Sequence, residues 1–144
     1  MLNFHANIYA VPAGVAPSAP LRLRGSELAP LRTPDGRPPT FDAFHSVTFE
    51  TAYDALTALP RLDAEPDGFF VIAGDAEERR WQLDGHLFDF GERLHRVELH
   101  GDCPPETLDA VLACLGWPAT PLAFELVLEG IVLDEPSFRS YAAG

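Results

Sequence analysis

His100-Gly101-Asp102-Cys103, followed directly by Pro104-Pro105-Glu106, is the run with the most chemistry in it. A thiol beside the first turn of a helix meets the positive end of the helix dipole, which favours the thiolate. With His100 as the base that takes its proton, Cys103 becomes a candidate nucleophile. The competing reading is structural. Asp102 or Cys103 simply caps a helix announced by the proline pair, and the charge of Glu106 opposes the thiolate. That reading needs no further partner and is preferred.

A metal site is the second candidate. His86, Asp89, His95, His100 and Asp102 are donors suited to zinc or another divalent ion. None stands at diagnostic spacing, for there is no pair of Cys-x-x-Cys elements and no His-Glu-x-x-His. His86 beside Gly85 reads as a turn-edge residue, and His100 as a solvated strand end. Phosphate chemistry has less support still. Gly14, Gly25 and Gly36 are scattered, and the chain has no lysine for a Walker loop. No Gly-x-Ser-x-Gly elbow occurs. Glu77-Glu78 falls in an expected turn, and Arg79-Arg80 and Arg93 with Arg96 have acids beside them to neutralise them. Trp117-Pro118, just past a helix end, is a candidate interface anchor. No cofactor is called for.

These residues must be positioned by a small set of elements. Phe4, Ala6, Ile8 and Ala10 alternate with His5, Asn7 and Tyr9, as in a half-buried strand. Residues 12–40 form a Pro-rich loop, with a short strand near Leu21–Arg24. A helix is expected from Phe49 to Leu59, capped by Thr48 and stopped by Pro60. The apolar run Phe69–Ala73 suggests a central strand buried on both faces. Asp84-Gly85 is the favoured pair for a type I′ turn. It predicts a hairpin pairing Leu83 with His86, Trp81 with Phe88, and Arg80 with Asp89, with Trp81, Leu83, Phe88 and Phe90 on one face. A further strand covers Leu94–His100, with Val97 and Leu99 opposed to Arg96, Glu98 and His100. A second helix runs from Pro104 (at N1) to Leu115. Thr120-Pro121 suggests a third helix, with Phe124, Val127, Leu128 and Ile131 facing inward, although Leu122, Phe124, Leu126 and Leu128 also alternate like a strand. Asp134 caps a last short helix ending near Tyr141.

The fold class expected is α+β, one domain over residues 1–144. It is an antiparallel sheet of about four to five strands, with two to three helices packed mainly on one face. A ferredoxin-like arrangement is a possible variant.

Composition narrows the function. A formal net charge of −12 over 144 residues opposes binding to bare nucleic acid, which needs a basic patch. Every basic side chain other than histidine is arginine, which fits a GC-rich genome. No apolar run is long enough to span a bilayer and no secretory leader is read at the N-terminus, so a cytoplasmic location and no membrane partner are expected. Cys103 and Cys114, if both on one helix, stand roughly 16 Å apart, too far for a disulfide. The favoured function is a small acidic, cytosolic, non-catalytic interaction module that binds a protein partner or self-associates, for instance as a homodimer. The alternative is a small enzyme or metalloprotein with a site around His100, Asp102 and Cys103, with His86 as a further candidate. A third possibility, an acidic mimic of nucleic acid, requires the carboxylates to form a continuous stripe.

Overall fold

A computed structural model describes residues 1–144. Strand β1 (Leu2–Ala10) opens the chain. Four short strands follow within the Pro-rich segment: β2 (Ala16–Pro17), β3 (Leu21–Leu23), β4 (Ser26–Leu28) and β5 (Leu31–Arg32). Helix α1 (Phe49–Thr57) leads into a meander of β6 (Leu62–Ala64), β7 (Phe69–Ala76), β8 (Arg79–Phe90) and β9 (Arg93–Cys103). The chain ends with α2 (Pro105–Ala113), β10 (Leu122–Leu126), β11 (Val132–Leu133) and α3 (Glu135–Ala143).

The fold is α+β, and its main sheet has seven strands in the order β11-β10-β1-β9-β8-β7-β6, every adjacent pair antiparallel. The expected four to five strands is therefore too few. The short edge strands β6 and β11 carry too little periodic sequence to be seen in advance. From β9 the chain passes through α2 and over β1 to β10, a split β-α-β unit. That is the half of the ferredoxin-like arrangement the chain keeps. On the other side α1 delivers the chain to β6, and β6 and β7 intervene before β8.

All three helices bury their apolar stripes in one core with one face of the sheet. Ala52 and Leu56 of α1, Leu108, Val111 and Leu112 of α2, and Phe138 and Tyr141 of α3 join Phe4, Ile8, Leu83, Val97 and Phe124. Local chemistry sets the helix starts. The Thr48 hydroxyl accepts from the Thr51 N–H at 3.1 Å, and the Asp134 carboxylate accepts from the Ser137 N–H at 2.9 Å. Helix α2 has no side-chain cap. Pro104 itself is its N-cap and Pro105 the first helical residue, one position later than expected.

The Pro-rich segment wraps both faces of the sheet near β10 and β11. Leu28 enters the helix-side core, whereas Leu31 joins a small separate cluster with Ala123 and Val132, with Val11, Val15 and Phe41 against it.

Three further expectations are corrected. The Asp84-Gly85 hairpin does not form, because β8 runs straight through both residues. Phe70 pairs with Gly85, and a Cβ at that position would overlap the Phe70 ring. Glycine is there to seat an aromatic across the strands, and Trp81 covers Gly74 in the same way. The turns are instead Glu77-Glu78, both at positive φ (53° and 61°), and Gly91-Glu92. With no reversal at residue 84, Trp81, Leu83 and Leu87 face the core, and Phe88 lies on the opposite face. Arg80 accordingly pairs with Asp75 rather than Asp89.

The segment after Thr120 is β10 rather than a helix, burying Leu122, Phe124 and Leu126, while Leu128 is 85% exposed in the turn that follows. The alternation wins over the Thr-Pro start signal because β10 fills the open edge of β1. Finally, β7 is buried on one face only. Phe70 and Ile72 point into the core, and Phe69 points out.

Candidate functional site

Helices cover one face of the sheet. The other face is open over β7, β8, β9 and the first half of β1, and strand register decides what it displays. One row across the strands reads Val71, Asp84, His100, His5; the next reads Phe69, His86, Glu98, Asn7. Since side chains on one row of a pleated sheet share a face, six of these eight build a shallow cleft of about 180 Å³ whose lining includes His5, Phe69, Asp84, His86, Glu98 and His100.

The cleft is organised by ring stacking and by hydrogen bonds to its carboxylates. His5 and His100 stack with centroids 4.1 Å apart, and His86 stacks on Phe88 at 4.3 Å. Phe69 meets His86 edge-on at 6.2 Å. Nε2 of His5 lies 2.8 Å from a Glu98 oxygen, and Gln82 Nε2 donates to Asp84 at 2.8 Å. Asn7 Nδ2 donates to Glu125 at 3.2 Å on the neighbouring strand.

A second, larger depression of about 360 Å³ adjoins it along β8, lined by Phe44, Phe88, Phe90, His95 and Arg96 among others. The Arg96 guanidinium lies 3.9 Å over the Phe88 ring, and Arg93 lies 3.9 Å over Phe44. Phe90 is 76% exposed. His95 donates from Nε2 to the Phe41 carbonyl at 2.8 Å, and Tyr9 stacks on Phe41 at 3.7 Å. Burial, and then the charge of Glu125, push the Tyr9 phenol up from its ordinary pKa.

The expected cluster of His100, Asp102 and Cys103 is taken apart by the same register. Cys103 is the last residue of β9, fully buried in the helix-side core. His100 and Asp102 belong to the opposite face. Asp102 is engaged by Arg79 and by the Gln82 N–H at 3.2 Å. The Cys103 thiol is pushed up to about 12, by burial first and then by the Asp102 charge, the reverse of a reactive thiolate. The cysteines are both free thiols, and Cys114 is held by a bond from its Sγ to the Ala110 carbonyl at 3.3 Å.

Of the metal candidates, His86 and His100 share the cleft, His95 belongs to the neighbouring depression, and Asp102 is in its ion pair. Nowhere do three His, Cys, Asp or Glu side chains converge in a way that would hold a metal ion. Trp117 is half-buried against the core with the Arg139 guanidinium 5.2 Å from its ring.

Sequence reasoning missed His5, Phe69, Asp84 and Glu98. Each faces away from the helices on its strand, and only strand order brings them together. Compared with protein-family models, curated proteins and solved structures, the chain matches none. No helix is long and apolar enough to cross a membrane.

Proposed function

We propose that this protein is a small acidic, non-catalytic interaction module whose helix-free sheet face docks a protein partner, either another chain or a second copy of itself. One observation carries the reading. The open face displays exposed or half-exposed rings, Phe69, His86, Phe88, His5 and His100, in a continuous patch, while no nucleophile, base and orienting group meet anywhere on it. Aromatic side chains ringed by polar groups are the composition of recognition surfaces. The net charge keeps the partner from being bare nucleic acid and steers basic surfaces toward it. The cytoplasm is the compartment proposed, on the basis of two free cysteines.

The test combines sedimentation with affinity capture from the source cell, using the wild type, a Phe69→Ser/His86→Ser double variant and a Glu50→Gln control on α1. Self-association or a stoichiometric partner that persists in the control and is lost in the double variant supports the reading. An association unaffected by the double variant, or a monomer without partners, sinks it. Native mass spectrometry of the purified protein adds a check on the alternative: a bound mass removed by His100→Ala or Asp102→Ala would put the metalloprotein ahead of the docking module.

A further inference from the structure

We infer that the cleft between Asp84 and Glu98 receives the guanidinium of an arginine carried by a basic, extended segment of a protein partner. The inference rests on the docking reading above and adds the partner's chemistry.

Charge is the first argument. No arginine of the chain pairs with the carboxylates in and beside the cleft: Asp84 accepts from the Gln82 amide, Glu98 lies 2.8 Å from Nε2 of His5, and Glu125 accepts from the Asn7 amide. The ion pairs made by the chain's arginines lie elsewhere, between Arg79 and Asp102, Arg139 and both Asp109 and Glu135, and Arg37 and Asp35. The carboxylates of the cleft are therefore held by hydrogen bonds and by no guanidinium of the chain itself. A cation arriving there gains attraction without first breaking an arginine–carboxylate pair.

Geometry selects the cation. Asp84 pairs with His100 and His86 with Glu98, so Asp84 and Glu98 are diagonal neighbours on an antiparallel pair. Such neighbours stand about 7–8 Å apart, or somewhat less between Cβ atoms. A planar guanidinium donating to each side at about 2.8 Å bridges that gap, which a point-like ammonium does not. The flat walls suit it as well, since Phe69 and His86 offer ring faces and edges for stacking.

The second depression argues for a peptide rather than a free small cation. It adjoins the cleft through the His86–Phe88 stack and ends at the exposed Phe90. From Asp84 to Phe88 along β8 is about 13 Å, at roughly 3.3 Å per residue. An extended segment with an apolar side chain about four residues from its arginine fills both.

The probe is a fluorescein-labelled peptide, Arg-Gly-Ser-Gly-Phe, titrated by anisotropy against the full-length protein at low salt. Saturable binding is expected, weakened about tenfold or more by citrulline in place of arginine, by Asp84→Asn and by Glu98→Gln. Glu50→Gln removes the same charge from α1 and leaves affinity unchanged. Circular dichroism of each variant establishes that it is folded, and either cleft variant suffices. Equal weakening by Glu50→Gln would reduce the effect to general electrostatics and overturn the proposal. Methylguanidinium binding as tightly as the peptide would overturn the peptide assignment. If the peptide does not bind, yet the Phe69→Ser/His86→Ser variant still loses a captured partner, the arginine assignment fails and the docking reading stands. If neither binds, both fall.

Discussion

Gly85→Ala is the substitution that most directly tests how the sheet is built. The Phe70 ring lies on Gly85 across the β7–β8 ladder, and an added Cβ would sit well inside 3.0 Å of several ring carbons. Phe70 is 1% exposed, so its ring has no free space into which to retreat. Overpacking of this kind costs about 1–3 kcal/mol, and the high end applies because the obstacle is a rigid ring. Phe70→Leu alone should cost about 1–2 kcal/mol for lost packing. The informative quantity is their coupling. In the double variant the smaller leucine leaves room for the new methyl, so the two losses should fall short of additivity by about 1 kcal/mol or more. Urea unfolding of the four proteins, followed by circular dichroism with unchanged m-values, measures this. Were Asp84-Gly85 a two-residue turn, alanine would suffer from positive φ and not from Phe70. Additivity within about 0.3–0.5 kcal/mol would therefore refute the seated-ring account and restore the hairpin.

Three other outcomes follow from the same structure. His45 is 6% exposed, its Nε2 donates to the Ile8 carbonyl at 3.1 Å, and burial lowers its pKa despite that bond, with nearby His95 lowering it further. Because the unfolded histidine takes up its proton first as pH falls, stability should decline below the ordinary histidine value of about 6.5, by at most about 1.4 kcal/mol per pH unit for this group. His45→Gln, unfolded by urea at neutral and mildly acidic pH, should show a smaller decline than the wild type. Cys103 and Cys114 both have thiols raised by burial, Cys103 to about 12, so iodoacetamide at mildly alkaline pH should leave the native protein unmodified and label both once it is denatured, as read by intact mass. Glu77 and Glu78 occupy positive φ without being glycine, so Glu77→Asn with Glu78→Gly should stabilise the protein by about 1–2 kcal/mol and raise Tm by several degrees.

What the sequence made legible was local. The helix over α1, the Asp134 cap of α3 and the opposed faces of β9 were readable because each depends on side chains a few residues apart. The α+β, antiparallel character was readable as well, from the order of those local elements. The wrap of the Pro-rich segment and the insertion of β1 between β9 and β10 depend on pairings between distant parts of the chain. No local pattern encodes them.

The candidate site failed to show itself for a connected reason, the period of two that strands impose. His100, Asp102 and Cys103 look like a cluster in sequence, because adjacency suggests proximity and the proline pair suggested that the helix began with them. They belong instead to a strand, where neighbours point to opposite faces, and Cys103 ends up with the helices while His100 ends up outside. The Asp84-Gly85 turn compounded the error. A reversal there pairs His86 with Leu83 and so assigns the histidine to the core side. A straight β8 places it beside Glu98 and Phe69 on the open face. One glycine, taken as a turn instead of a seat for Phe70, moves a site residue through the sheet. The Gly85→Ala/Phe70→Leu cycle is thus also a test of the docking face, since the cleft exists only if β8 does not turn.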